Sequence, residues 1–186
     1  TGAKTASDQL LPTITSVSLA ANNSTIAVTL SESVYNTNDG SGALEASDFA
    51  FSISGGTATL SSATPSGLSP NGNVYTLDID LSGTPNGAEV LTVNPVDDSI
   101  YDATGNEAST SQSNNTVTLN DQAGPTISSV SLASNNSSIS VTFSEAVYNA
   151  TGGSGALEAA DFAFSIIGGT ATLSSATPSS ISPNGN

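Results

Sequence analysis

The sequence contains no cysteine, histidine, methionine or tryptophan, and Lys4 is its one basic residue. Without histidine or cysteine there is no Ser-His or Cys-His pair for nucleophilic catalysis, no disulfide and no ordinary zinc site. Carboxylates alone remain for acid–base chemistry, and with five Phe and four Tyr the chain is poor in the aromatic side chains that line sugar clefts. We therefore expect a protein that is not an enzyme.

Charge of one sign dominates the chain, because 16 acidic residues against one basic residue give a net charge of −15. Nucleic-acid binding requires Lys and Arg to displace counterions from phosphates, so we expect no nucleic-acid partner. No apolar run approaches the ~20 residues of a membrane helix, so we expect no membrane insertion. Such acidity favours solubility in salt or the binding of hard cations, of which calcium is the cofactor that we predict.

A long tandem repeat organises the chain. Residues 12–73 align without a gap with residues 125–186, and 13 of these 62 positions differ. The substitutions keep apolar positions apolar, as where Leu30 is replaced by Phe143. We interpret residues 1–11 as the tail of a preceding unit and a linker, residues 12–124 as a complete repeat, and residues 125–186 as the first part of a second repeat.

Apolar and polar residues alternate along several short segments of the complete repeat, and one apolar face with one polar face is typical of antiparallel sheets. The segments are Ser24–Ser31, Phe49–Ile53, Val74–Leu81 and Asn115–Leu119. About seven to nine short strands in ~110 residues predict an all-β fold. We expect tandem immunoglobulin-like antiparallel β-sandwiches, with a β-barrel as the alternative.

Turn signals separate the predicted strands. The dipeptide Asn71-Gly72 before a strand predicts a hairpin in which both residues adopt positive φ. Only Ala43–Asp48 suggests a helical turn, in which Asp48 would accept a local hydrogen bond and Phe49 would enter the core.

Several short motifs recur in a fixed order. They are Leu30–Val34 (LSESV) and Phe143–Val147 (FSEAV), Ala46–Phe49 (ASDF) and Ala159–Phe162 (AADF), the pairs Gly55-Gly56 and Gly168-Gly169, and Asp102–Asn106 (DATGN). In this order and spacing the motifs resemble the bacterial immunoglobulin-like tandem repeats of large extracellular adhesins and other surface proteins. The resemblance implies an extracellular or cell-surface location, a structural role in an adhesin, stalk or filament, and neighbouring repeats as partners.

The loop from Asp102 to Glu107 allows two interpretations, an Asx turn around Gly105 or a calcium site. Repeats of the kind that the chain resembles often hold calcium at domain junctions, which stiffens them. Our metal hypothesis is therefore that calcium binds at the junction between consecutive repeats. The proposed ligands are Glu32, Asp102, Asn106 and Asp121, with Glu145 as the counterpart of Glu32 in the second repeat.

Two rival functions remain open at this stage. A carbohydrate-binding module would use acidic residues and calcium to recognise sugar hydroxyls, although no tryptophan platform is present. A fibre subunit would complete its second repeat with strands of another molecule, because residues 125–186 contain Ile139, Val141 and Phe143 but no counterparts of the later strands. Continuation of the same chain would complete that repeat equally well.

Overall fold

The computed structural model describes residues 8–184, and this part of the chain is rich in antiparallel β-structure and contains no α-helix. The chain divides into two compact units, Thr1–Ala123 (unit 1) and Gly124–Asn186 (unit 2). Within the described range, no helix has the length and apolar character needed to cross a membrane.

The strands in the described part of unit 1 are β1 Ile14–Leu19, β2 Thr25–Leu30, β3 Phe49–Ser54, β4 Thr59–Leu60, β5 Leu68–Asn71, β6 Val74–Asp78, β7 Leu81–Ser82, β8 Val90–Pro95 and β9 Thr116–Thr118. They form three antiparallel sheets. The largest has the strand order β1-β2-β6-β5, the second has the order β3-β8-β9, and β4 pairs with β7.

Three of the four strands predicted from alternation are single strands in the structure, namely β2, β3 and β9. The fourth segment, Val74–Leu81, is divided between two sheets. Residues of β6 pair with β2 and β5, whereas Leu81 belongs to β7 and pairs with Leu60. The alternation of side chains continues across this division, so the sequence pattern does not reveal that the backbone changes partners.

The β5–β6 hairpin forms where the Asn-Gly signal predicts it, but with a different turn. Asn71 pairs with Val74 as a strand residue, and of the loop residues Gly72 has the positive φ, of 62°. The prediction of positive φ at both Asn71 and Gly72 is therefore wrong at Asn71. A positive φ at the first of two central residues is the pattern of a type II′ turn, which matches the twist of the strands it joins.

The predicted helical turn is a 3-10 turn at Ala46–Asp48. The Asp48 Oδ2 accepts a hydrogen bond of 2.8 Å from the Glu45 backbone N–H, and the side chain of Phe49 is fully buried. Both local predictions for this segment are confirmed.

One hydrophobic cluster in unit 1 contains side chains from both larger sheets. Phe49 of β3 packs against Tyr75 of β6, with 6.1 Å between their ring centroids. The fully buried strand residues of the cluster are Ile26 and Val28 of β2, Leu77 of β6, Phe49 of β3, and Leu91 and Val93 of β8. The alternating pattern of the sequence thus places one face of each sheet in the same core.

Unit 2 contains one hairpin, formed by β10 (Ile127–Leu132) and β11 (Ile139–Phe143), and a 3-10 turn at Ala159–Asp161. In the described part of this unit no further strand pairs with the hairpin. Ile127, whose counterpart Ile14 is 2% exposed, is 58% exposed. The described part of unit 2 therefore repeats the first hairpin and the 3-10 turn of unit 1, and Ile127 is more exposed than its counterpart there.

Candidate cation site

Asp102 lies in a tight turn that follows the buried Ile100, and only 1% of its surface is exposed. Its Oδ1 accepts hydrogen bonds from the backbone N–H groups of Thr104, at 2.7 Å, and Asn106, at 2.8 Å. Its Oδ2 accepts a bond of 2.7 Å from Asn106 Nδ2. Gly105 is required in this turn, because its φ is +88° and an added Cβ would lie 2.6 Å from the Asn38 carbonyl oxygen. The bond from Thr104 identifies the loop as an Asx turn.

The hydrogen bonds of this turn keep the Asp102 carboxylate charged. Burial acts to raise the pKa of Asp102, but the hydrogen bonds from Asn106 and Thr104 together outweigh it and leave the pKa below its usual value. The turn therefore holds a buried anion at neutral pH.

Two further carboxylates lie beside this anion. Asp8, Glu32 and Asp102 each offer an oxygen, and the three oxygens lie within 4.8 Å of one another. Glu32 follows the end of β2. Reciprocal backbone hydrogen bonds of 2.8 Å between Tyr35 and Tyr101 hold the segment after Glu32 against the segment that carries Asp102.

Asp8 reaches the cluster from the linker that precedes β1. Asn106 Nδ2, which also bonds to Asp102, donates a hydrogen bond of 3.1 Å to the backbone carbonyl of Asp8. The role of Asn106 in this structure is thus to join the linker to the Asx turn through its amide nitrogen.

The three carboxylates repel one another. The pKa of Glu32 is raised by burial first, and then by the negative charges of Asp102 and Asp8. Lys4, the one basic residue of the chain, lies outside the described residues, so within residues 8–184 no basic side chain offsets this charge. A cation bound between the carboxylates would remove the repulsion.

The structure does not bring Asp121 to this cluster. Its Oδ1 accepts a hydrogen bond of 2.8 Å from the Ala123 N–H. The preceding residue, Asn120, exchanges hydrogen bonds with the Asn23 side chain, at the start of β2, whereas Glu32 follows the end of that strand. Asp121 therefore lies at the opposite end of β2 from Glu32.

The physical reason is the direction of the last strand. Asp102 lies before β9 and Asp121 lies after it, and two loops that flank one strand lie at opposite ends of the sheet. Asp8 is the counterpart of Asp121 one repeat earlier, and it takes the place that we assigned to Asp121. Glu145 follows β11 in unit 2, and a counterpart of Asp102 one repeat later would lie beyond residue 186.

The donor set fits a hard divalent cation such as calcium, because it consists of oxygen atoms. Two oxygens that each lie ~2.4 Å from one calcium ion are at most ~4.8 Å apart, and the three carboxylate oxygens satisfy this limit of 4.8 Å. The hydrogen bonds of the Asx turn already engage both oxygens of Asp102. Asp8 and Glu32 would therefore be the main ligands, and Asp102 would contribute mostly its charge.

A second carboxylate, that of Glu89, was missed from the sequence. It is fully buried, and its Oε1 accepts hydrogen bonds from the backbone N–H groups of Thr57, at 2.7 Å, and Ala58, at 2.9 Å, while Oε2 accepts one of 3.1 Å from Asn86. Burial acts to raise the pKa of Glu89, but these hydrogen bonds leave it lowered. The available signal was a single acidic residue just after the Asn86-Gly87 turn. Its oxygens are engaged by the backbone, so its role is structural.

Comparison with known proteins gave no relative, since no family model, no curated protein and no solved structure matches the chain. The resemblance to bacterial immunoglobulin-like repeats thus stands on the sequence motifs, and the case for a function stands on the geometry of unit 1.

Proposed function

We propose that the chain is a structural, non-catalytic segment of an extracellular adhesin, stalk or filament, built from tandem immunoglobulin-like β-sandwiches that calcium stiffens at their junctions. The observation that carries the proposal is the convergence of Asp8, Glu32 and Asp102 within 4.8 Å. One of these residues belongs to the linker, and the other two belong to the repeat itself.

The sandwich is supported by the way in which the core of unit 1 is built. The four-stranded and three-stranded sheets are both antiparallel, and each contributes alternate residues to one hydrophobic cluster. Short antiparallel strands in two sheets around a shared core are typical of immunoglobulin-like domains. The contact between Phe49 and Tyr75 joins the two sheets.

Stiffening at the junction follows from where the ligands lie in the chain. A cation held by Asp8 and Glu32 would tie the linker before the repeat to the loop after β2, and so restrict the angle between the linker and the repeat. The linker would in this way be fixed to the repeat that follows it.

The first test is a calcium titration of the full chain, with calorimetry and thermal melting as measurements. A ligand that binds only the folded state stabilises it by about 2.7 kcal/mol at a hundredfold excess over Kd. We expect one binding event in unit 1 and a higher melting temperature in calcium than in chelator. Absence of both binding heat and a melting shift would leave Asp102–Glu107 as an Asx turn alone.

A pair of variants tests whether the site is the one described. In calcium, Glu32→Gln should bind more weakly and lose the melting shift, because it removes a main ligand. In chelator the same variant should melt above the wild type, because it removes repulsion among the three carboxylates. Glu145→Gln is the matched control, since it makes the same chemical change in the same motif and should leave the calcium response of unit 1 unchanged.

A further inference from the structure

The tripeptide Pro-Asn-Gly occurs at two turns of unit 1, at residues 70–72 and at residues 85–87. In an Asn-Gly pair the main-chain nitrogen of the glycine is able to attack the side-chain amide of the asparagine, because glycine has no side chain to obstruct the approach. Asparagine is accordingly counted among the thermolabile residues. The two tripeptides are identical in sequence, so a difference in their reactivity has to come from the fold.

Asn71 lies at the exposed tip of the β5–β6 hairpin. Its backbone pairs with Val74, and its side chain forms no hydrogen bond with any described residue. Gly72 is also exposed, and a Cβ added to it would meet open space. Opening an exposed turn with few buried contacts costs little free energy. The Asn71 amide is therefore free to turn toward the Gly72 nitrogen.

Asn86 lies in a turn that hydrogen bonds hold on several sides. Its backbone N–H donates to the buried Glu89 carboxylate, at 3.1 Å to Oε2 and 3.3 Å to Oε1. Its side-chain Oδ1 accepts a bond of 3.2 Å from the Ala88 N–H. The carbonyl of Pro85 accepts a bond of 2.9 Å from the Gln122 N–H. The Asn86 amide has to break the bond to Ala88 before it approaches the next nitrogen, and the surrounding bonds resist movement of the backbone.

We propose that Asn71 is a site of spontaneous deamidation and that the fold protects Asn86 from the same reaction. The Gly72 nitrogen gives its proton to hydroxide and attacks Cγ of Asn71. An N–Cγ bond forms, the Cγ–Nδ2 bond breaks, and the amide nitrogen takes a proton from water and leaves as ammonia. Water then opens the succinimide ring at one of its two carbonyl carbons, which leaves aspartate or isoaspartate at this position. No oxidant or reductant takes part.

The modification alters a hairpin that carries part of the core. Either product places a negative charge at the tip, and isoaspartate also adds a methylene group to the main chain at the end of β5. Asn71 is the last paired residue of β5, and Tyr75 and Leu77 of β6 are buried. Because the turn sets the register of a hairpin, isoaspartate disturbs the pairing of β5 with β6. The proposal does not depend on calcium binding.

The experiment incubates the full chain at neutral pH, once folded and once unfolded in urea. Peptide mapping by mass spectrometry measures, at each site, the mass gain that accompanies replacement of an amide NH₂ by a hydroxyl. In urea we expect similar rates at Asn71 and Asn86, because both stand between Pro and Gly. In the folded chain we expect Asn71 to react faster than Asn86 by a factor of about 10 or more, because hydrogen bonds first have to break at Asn86.

Two variants assign the signal and its cause. Asn71→Ser should abolish the mass gain in the peptide that contains residues 70–74, which separates Asn71 from its neighbour Asn73. Glu89→Gln should accelerate the reaction at Asn86 by about fivefold or more, because it weakens a buried hydrogen-bond acceptor. The rate at Asn71 should stay the same in that variant. A thermal melt confirms that the variant is folded, and the comparison of the two sites in the wild type does not require it.

The proposal is overturned if Asn71 and Asn86 react at similar rates in the folded chain, or if Asn86 reacts faster. It is also overturned if Asn71 stays intact in the folded chain while both sites react in urea, because the hairpin would then protect its own amide. A mass gain that persists in Asn71→Ser would assign the reaction to Asn73 instead. An unchanged rate at Asn86 in folded Glu89→Gln would contradict the protection by Glu89.

Discussion

The segment FAFSIS at Phe49–Ser54 is a β-strand, whereas the segment FAFSII at residues 162–167 is not. The two differ at one position of six, where Ser54 is replaced by Ile167. In unit 1 every residue of β3 pairs with β8, and in the described part of unit 2 no counterpart of β8 pairs with residues 162–167. The comparison teaches that this alternating sequence becomes a strand only when a partner satisfies its backbone.

The first hairpin behaves differently, since it forms in both units. β1–β2 and β10–β11 have corresponding registers, including the irregularity after Ile14 and after Ile127. The two strands of each hairpin are joined by a short loop, so each strand has its partner nearby in sequence and little loop entropy opposes the pairing. Local partners explain why the hairpin does not require the rest of the core.

The 3-10 turns are equally insensitive to burial. Glu45 N–H donates to Asp48 Oδ2 at 2.8 Å, and Glu158 N–H donates to Asp161 Oδ2 at 2.7 Å. Asp48 is buried and Asp161 is exposed, yet the contact is the same. Contacts between residues three positions apart thus depend on the segment alone.

The largest expected difference between the units concerns Ile26 of β2 and its counterpart in β11, Ile139. Ile26→Ala removes a fully buried side chain, and such changes cost about 2–5 kcal/mol of unfolding free energy. Ile139→Ala changes a side chain that is 39% exposed, and we expect less than about 1 kcal/mol, as for sites away from a packed core. Chemical denaturation, monitored through hydrogen exchange of amides in each unit, measures the unfolding free-energy cost of each substitution. Equal costs would contradict the assignment of the core to unit 1.

A smaller difference is expected at the second glycine of the Gly-Gly turn. Gly56 and Gly169 both have positive φ, of 58° and 69°. Replacement by alanine would therefore introduce about 1–2 kcal/mol of backbone strain at either position. At Gly56 the added Cβ would also overlap the Glu89 carboxylate, whereas at Gly169 it would meet open space. Gly56→Ala should therefore destabilise its unit by about 1–3 kcal/mol more than Gly169→Ala, the range for a disturbed buried polar group. Denaturation of the two variants measures the difference, and similar costs would count against the packing at Glu89.

An effect of similar size is expected in the pH dependence that Glu89 adds to unit 1. Because its pKa is lowered in the folded state, its contribution is present above the ordinary value of 4.5 and is lost as the pH falls through the folded pKa. Glu89→Gln should cost about 1–3 kcal/mol at pH 7, the range for a lost buried hydrogen-bond partner. The difference in unfolding free energy between Glu89→Gln and the wild type should become smaller at pH values below 4.5.

Stability measured at pH 7 and near pH 3 tests this prediction, with Glu145→Gln as a control that should change little at either pH. If the difference in unfolding free energy between Glu89→Gln and the wild type is the same at both pH values, the charge of Glu89 is not what stabilises the turn.

The candidate site could be predicted in part. The sequence identified Asp102 and Glu32 as members of one cluster, because each follows a strand or a buried segment at a turn motif. It assigned the linker residue to Asp121, although the repeat offered the equivalent Asp8 equally well. Deciding between them required the direction of β9, which depends on how the strands are ordered in the sheets. Glu89 was missed because its partners, Thr57 and Ala58, lie far from it in the chain.

The sequence alone determined the strands with local partners and the 3-10 turns. These features depend on alternation and on short-range hydrogen bonds, which are visible in a few neighbouring residues. The tertiary structure alone decided that residues 49–54 pair as a strand while residues 162–167 do not, that Asp8 joins Glu32 and Asp102, and that Glu89 is buried. Each of these depends on partners far away in the chain, and only the folded arrangement of the sheets brings those partners together.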